Sequence, residues 1–279
     1  MMSDAPEDWI GKRETCVDAL DASLAARIAA MLDRPTPGCG DELSPLWHWA
    51  FFQIPVPPSG TGHDGHIAPG GFLPKSAGNT RMWAGGRVEF HKPLMIGQTA
   101  ERSSTIHSVN EKEGRSGKLL FVTVRHDYHQ NGELCLSEEQ DIVYKAPATP
   151  RLSLDQPVPD AQWSNRVDPS PLLLFRYSAV TFNGHRIHYD KPYATQEEGY
   201  PDLVVQGPLI ATLMVQAFTD ANPGLTPVRL SYRGLRPLTV NKSFNVEGRI
   251  VGQGKAQLWA ANEDGPAHQG EIEFKEKHQ

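Results

Sequence analysis

The sequence predicts an α+β fold in which a helix followed by a long antiparallel meander occurs twice. Three observations predict it: a helix-period stretch near the N-terminus, period-2 alternation from about residue 86 to 145, and the return of the same order beyond residue 170. The length of 279 residues suits two such units, and 39% hydrophobic with 22% charged residues is ordinary globular usage, so a core held by burial alone is expected.

From Asp18, the stretch DALDASLAARIAAMLDR places Leu20, Leu24, Ile28, Met31 and Leu32 on one helical face before the stop at Pro35 and Pro37. A short apolar segment, LWHWAFF, leads into IPVPPSGTGHDGHIAPGGFLPKSAG, which is too rich in proline and glycine for regular structure. Alternation then takes over in GRVEFHKPLMIGQTAERSSTIHSV, KLLFVTVRHDYHQNG and ELCLSEEQDIVYKA, with Asn131-Gly132 as a hairpin turn.

A proline-rich polar stretch reads as a linker over residues 151–170, dividing the chain into 1–150 and 171–279. Beyond it come a helix from about Pro171, the apolar helix GPLIATLMVQAFTDA and four further strand segments. The repeat has a register: Lys92-Pro93-Leu94 aligns with Arg236-Pro237-Leu238 at an offset of 144, which also pairs Ile96 with Val240 and Ile106 with Ile250.

Composition narrows the function. Net charge is −6 with scattered basic residues, so a broad nucleic-acid surface has no support. No stretch approaches the length of an apolar membrane span, and MMSDAPEDWIGKRE lacks a basic region followed by an apolar one, so secretion is not expected. Cys16, Cys39 and Cys135 are odd in number and in no CxxC pair, as expected of reduced thiols in a cytoplasm.

Chemistry concentrates in TFNGHRIHYD, residues 181–190, where Asn183, His185, His188 and Asp190 crowd together. Two readings stay open on the residues alone: a tight Asn183-Gly184 turn beside a hydrogen-bonded histidine, or an acid–base site. The repeat favours the second, because the offset carries positions 183 and 188 to 39 and 44, inside CGDELSP, which holds no histidine. His185, His188 and Asp190 form HxxHxD, but no further ligand cluster accompanies them, and no metal is expected. Asp190 reads as a cap for the helix begun at Lys191-Pro192. His63 and His66 in HDGH read as an exposed polar loop or as part of a lid.

FRYSAVTFNGHRIHYDKPYA followed by EGYPDLVVQGPL resembles the hydratase-2 signature of the MaoC-like hot-dog hydratases and dehydratases. It is closest to their FAS1-like dehydratase subgroup, which includes itaconyl-CoA and mesaconyl-C4-CoA hydratases and mitochondrial hydroxyacyl-thioester dehydratases. GGFLPKSAGNTRMWAGGRVEFHKPL is similar to the first domain of that subgroup. The resemblance implies a double hot-dog fold, two antiparallel sheets each wrapped around a central helix, with a degenerate N-terminal copy that shapes the pocket and a C-terminal copy that carries the motif. It also implies a hydro-lyase acting on a short enoyl- or 3-hydroxyacyl-CoA thioester, with no cofactor beyond the coenzyme A of the substrate. A homodimer is compatible with it, since hot-dog sheets often pair.

The resemblance distributes the roles. In the family motif GDxNPxHxD an aspartate precedes the histidine by five positions; here those positions are Asn183 and His188. His188 is then the proton-transfer residue, Asn183 orients the water without taking its proton, and the Gly207 N–H stabilises the oxyanion. Gln206 stands where many relatives have histidine. With His185 it is expected to contact substrate, as are Arg81 and Trp83 in the acyl pocket, Arg81 being suited to a free carboxylate. Arg233, Arg236 and Lys242 are candidates for the coenzyme A phosphates. The acyl group favoured is a branched C5 dicarboxylate such as itaconyl- or mesaconyl-CoA. A 3-hydroxyacyl-carrier-protein dehydratase and a non-catalytic acyl-CoA-binding module are the alternatives, with a thioesterase behind them.

Overall fold

A computed structural model describes residues 6–68, 70–74, 80–114 and 117–277. Strands β1 (Arg13–Asp18), β2 (Thr80–Phe90), β3 (Ala100–Gly114), β4 (Gly117–Gln130) and β5 (Glu133–Lys145) make the first half of one antiparallel sheet. Strands β6 (Trp163–Val167), β7 (Leu225–Gly234), β8 (Phe244–Gly252), β9 (Lys255–Asn262) and β10 (Gly265–Glu276) make the second. The spatial order is β1-β3-β4-β5-β2-β7-β10-β9-β8-β6, so each half has the same internal order and the halves join through β2 and β7. The two sheets expected are therefore one continuous sheet of ten strands.

The repeat is visible in the ladder itself. Arg87 of β2 faces Ser231 of β7, and the difference between 231 and 87 is the offset of 144 found in the sequence. Farther along, β3 and β4 run 15 and 14 residues against 9 and 8 for β8 and β9, which reduces the offset to 132 between Glu133 and Gly265. Asn131 and Gly132, at φ 54 and 79, make the left-handed turn that their residue types favour.

Among the described residues three α-helices accompany the sheet: α1 (Ala22–Met31), α2 (Pro171–Val180) and α3 (Gly207–Ala221). Asp21 caps α1 by accepting from the Ser23 and Leu24 N–H groups, so Leu20, at φ 45, lies before the helix rather than on its face. α3 packs against β6, β7, β8 and β9 as the central helix of the second half. It has no side-chain cap, but Leu209, Ile210 and Phe218 are fully buried. At roughly 2 kcal/mol each, their burial outweighs the roughly 1 kcal/mol that a cap supplies.

The first half has no such helix among its described residues. Leu43 N–H bonds to Leu94 O as Val205 N–H bonds to Leu238 O, so the two lead-in segments correspond. The second leads into the 15 residues of α3; the first leads only into the single turn Trp47–Ala50, which Pro55, Pro57 and Pro58 prevent from continuing. The repeated helix is thus α1 with α2, and the apolar segment Leu46–Phe52 fills the core where a central helix was expected. The stretch read as a linker also differs from expectation: its residues 163–167 form β6, an edge strand paired with β8. Among the described residues no helix is long and apolar enough to cross a membrane.

Candidate active site

The motif occupies extra chain. From the end of α1 at Met31 to the bridge residue Glu42 is 11 residues, whereas from the end of α2 at Val180 to the bridge residue Val204 is 24. In that added length Asn183-Gly184 forms no hairpin. The left-handed residue is Phe182 at φ 50, and the Asn183 N–H bonds to Ser178 O at the end of α2. Arg186–His188 then make one 3-10 turn.

Val204 holds this turn. Its N–H donates to Ile187 O at 2.9 Å, and its carbonyl accepts from His188 Nδ1 at 2.7 Å. With Nδ1 carrying the proton, His188 Nε2 keeps its lone pair and has no hydrogen-bond partner among the described residues. Burial pushes the imidazole down to about 4 against the opposing effect of the Val204 carbonyl, so His188 is neutral at pH 7. Three residues beyond Val204, Gly207 opens α3, and its N–H has no acceptor among the described residues. Residues 204–207 therefore both anchor the His188 ring and present an unpaired backbone N–H among the described residues.

The first half supplies the opposite wall. Residues 63–66, HDGH, lie backbone to backbone on the motif, with Arg186 N–H donating to Asp64 O at 2.9 Å. A Cβ on Gly65 would fall 1.9 Å from Gly184 O, and one on Gly184 would fall 2.6 Å from Gly65 O, so both positions need glycine. The Arg186 guanidinium donates to His63 O at 3.1 Å and to Asp190 Oδ2 at 2.8 Å, and stacks over Tyr193. Asp190 Oδ1 accepts from Tyr193 N–H, the capping role expected of it. With Asp190 facing Arg186 and His188 Nδ1 facing Val204, the HxxHxD side chains do not converge on a common point.

Three imidazoles line up where the two halves meet. His66 Nδ1 is 2.8 Å from Asp64 Oδ2; the His66 and His185 rings are 3.9 Å apart and those of His185 and His188 5.3 Å apart, centre to centre. Burial pushes His185 far down, helped by the other two rings, and its Nε2 is buried without a partner. Asp64 is raised by burial but held well below the usual carboxylate range by the His66 hydrogen bond and charge, which outweigh it. His66 is lowered by burial and by Arg81, with Asp64 opposing both.

Arg81 and Trp83 both face this region from β2. Arg81 is lowered by burial, while Tyr144 and Asp64 oppose the shift. Trp83 packs against Trp49 and Tyr232 with ring centres 5.1 and 5.0 Å away, and its Cε3 would be 3.2 Å from a Cβ on Gly207. His268, also beside Gly207, is buried and pushed down to about 4. Asp64, Trp49, Tyr232 and His268 were not singled out from the sequence; only Asp64 carried a signal, as the carboxylate inside HDGH.

Other expected site residues have different partners. Asn183 Oδ1 accepts from the His185 N–H at 3.0 Å, so this oxygen also shapes the turn. Gln206 is fully buried, its amide donating to Leu174 O and Ser178 Oγ as a strut between α3 and α2. Arg236 is buried, with its guanidinium on Leu152 O, Gly265 O and Asn262 Oδ1, so it ties residues 151–154 to the β9–β10 turn. Lys242 is paired with Asp264 and Glu263. Arg233 stays on the exposed face of β7, within 2.9 Å of the Gln269 amide oxygen.

Residues 46–240 match the family described as hydroxyacyl-thioester dehydratase type 2. The chain is 43% identical over 263 residues, 92% of its length and 93% of the relative, to the mesaconyl-C(4)-CoA hydratase of Chloroflexus aurantiacus. It is 30% identical over 235 residues, 74% of its length and 77% of the relative, to the mitochondrial hydroxyacyl-thioester dehydratase type 2 of Schizosaccharomyces pombe. Among solved structures, a MaoC-like dehydratase from Phytophthora capsici superposes with a TM-score of 0.71 at 13% identity, over 96% of this chain and 97% of that one, which shows the shared hot-dog fold. With that fold, and with the match running across both halves of the sheet, the chain belongs to the hydroxyacyl-thioester dehydratase type 2 family of MaoC-like hydro-lyases.

Proposed function

We propose that the protein reversibly hydrates a short enoyl-CoA, with a branched C5 dicarboxylyl-CoA of the mesaconyl or itaconyl type as its substrate. The observation that carries this reading is the pairing of a neutral, Nδ1-anchored His188 with the free N–H of Gly207 three residues past the anchor. Nε2 takes a proton from water as its oxygen bonds to the β-carbon. The double-bond electrons move onto the thioester oxygen, where the Gly207 N–H and the positive end of α3 meet the developing charge. The enolate then collapses as a proton reaches the α-carbon, and all atoms of water end in the 3-hydroxyacyl product.

Two facts support the acyl group. A relative at 43% identity is named for mesaconyl-C(4)-CoA, and Arg81 brings a half-buried guanidinium to the same side of β2 as Trp83, suited to a second carboxylate. The three free cysteines fit a reducing compartment such as the cytoplasm. The test is absorbance of the conjugated thioester with purified protein and a panel of itaconyl-, mesaconyl- and crotonyl-CoA. Faster turnover of a dicarboxylyl thioester is expected; equal rates on all three contradict the acyl assignment, and release of free thiol points to a thioesterase.

A further inference from the structure

Adding water moves two protons, one off the water and one onto the α-carbon, and the motif itself offers one unbound imidazole nitrogen on His188 and a neutral amide at Asn183. The first half of the chain brings a second acid–base group to the same place. Asp64 and His66 form a hydrogen-bonded carboxylate–imidazole pair, and the Gly65–Gly184 contact presses that pair against the motif. We propose that His66, backed by Asp64, is a second catalytic acid–base residue, giving its proton to the α-carbon in hydration and removing it in dehydration.

Charge decides between the three imidazoles. A proton on His188 has only the Val204 carbonyl beside it, and one on His185 has no partner at all at Nε2, so each would be an uncompensated buried charge. A proton on His66 sits against the Asp64 carboxylate, which leaves the pair neutral and works against the disfavouring effects of burial and of the Arg81 charge. In hydration His188 gains the water proton while His66 loses one to the α-carbon. The enzyme resets when His188 releases a proton and His66 takes one up, directly past the intervening His185 or through solvent, so no proton is gained or lost over the cycle. The carboxylate that the motif lacks at Asn183 is supplied from 119 positions earlier in the chain, across the joint between the halves.

Asp64, His66 and His185 have ligand atoms within 4.8 Å of one another, a set whose residue types also suit a divalent cation. Arg81 argues for the proton role: its charge acts on His66 and His185, and a cation there would meet it without a second carboxylate to offset the repulsion. The groups facing His66 are Asp64 from its own loop, Arg81 from β2, and His185 and His188 from the motif.

This inference rests on the hydration reading, and the experiment separates the two. With whichever thioester the wild-type chain turns over, His66→Gln is expected to lower kcat by roughly 100-fold while KM stays within about threefold. Imidazole in the buffer should restore part of the rate of His66→Gly. Asp64→Asn is expected to shift the loss of hydration rate at rising pH to lower pH, because the carboxylate that favours the imidazolium is gone; a loop that merely packs would change KM or thermal stability and leave the pH profile in place. A wild-type rate in His66→Gln, an unmoved profile in folded Asp64→Asn, or a stoichiometric metal whose chelation stops turnover overturns the proposal. A wild type inactive on every thioester overturns the hydration reading and this one with it.

Discussion

His188 Nδ1 lies 2.7 Å from the carbonyl oxygen of Val204, and that single bond sets the tautomer and the ring orientation three residues before Gly207 opens α3. The imidazole is held through the backbone, so no side-chain substitution at Val204 removes the acceptor. Gly207→Ala keeps the backbone N–H but sets a methyl group beside it, so it tests whether an acyl oxygen must approach that donor. Its Cβ would crowd Trp83 at 3.2 Å without touching His188's anchor. We expect kcat to fall by about 10-fold to 100-fold with the thermal midpoint nearly unchanged, measured by steady-state kinetics beside a thermal melt.

Gly65→Ala tests whether the HDGH loop belongs to the site. The residue has φ +84, and a Cβ would collide with Gly184 O, a strain of roughly 1–3 kcal/mol before any rearrangement. The loop is expected to lift from the motif, with turnover falling at least 10-fold while the far-ultraviolet circular dichroism of the sheet is kept. Full activity in this variant would separate the loop from catalysis.

Arg81→Met should discriminate substrates. If the guanidinium meets a free carboxylate, kcat/KM for mesaconyl- or itaconyl-CoA drops by roughly 30-fold or more, and that for crotonyl-CoA changes little. A parallel loss on both kinds of substrate would assign Arg81 a structural role.

Arg236→Ala should behave oppositely to a coenzyme A contact. It leaves Leu152 O and Gly265 O without this donor and Asn262 Oδ1 with only the Asp264 N–H, a loss of roughly 2–4 kcal/mol in stability. The expected result is a lower thermal midpoint at unchanged KM.

Acid should destabilise the fold before its carboxylates titrate. His126, His188 and His268 are each pushed from 6.5 to about 4, chiefly by burial. The unfolded chain takes up these protons near pH 6.5 and the folded chain only near 4. Their contribution is thus complete above pH 6.5 and is lost as pH falls towards 4, by on the order of 2–3 kcal/mol per histidine. Denaturant melts at pH 7 and pH 5 should show it.

Much of this arrangement was legible in the residues because it is local. Asn131-Gly132 makes a left-handed turn wherever strands flank it, and the offset of 144 survives at Arg87 and Ser231 because those residues sit at the joint the duplication shares. His188 and Gly207 are 19 positions apart, but the Val204 carbonyl that anchors the ring lies only three residues before Gly207, so one local segment ties the ring to the start of α3. The contact of HDGH with the motif joins residues more than 110 positions apart through backbone atoms, and no side-chain pattern announces it. Trp163–Val167 is short, polar and proline-flanked, as an edge strand is, which made it read as linker. Asn183-Gly184 suggested a hairpin, but a helix end precedes it and a 3-10 turn follows, so Phe182 takes the left-handed conformation instead.

His188 is proposed to move a proton during hydration of a conjugated CoA thioester. The most direct measurement is the decay of enoyl-thioester absorbance with wild-type protein and with His188→Ala, each shown folded by a thermal melt. The account predicts turnover by the wild type and a loss of at least 100-fold in the variant, with thioester binding kept. Tight binding without turnover by the wild type, or an unimpaired variant, would contradict it.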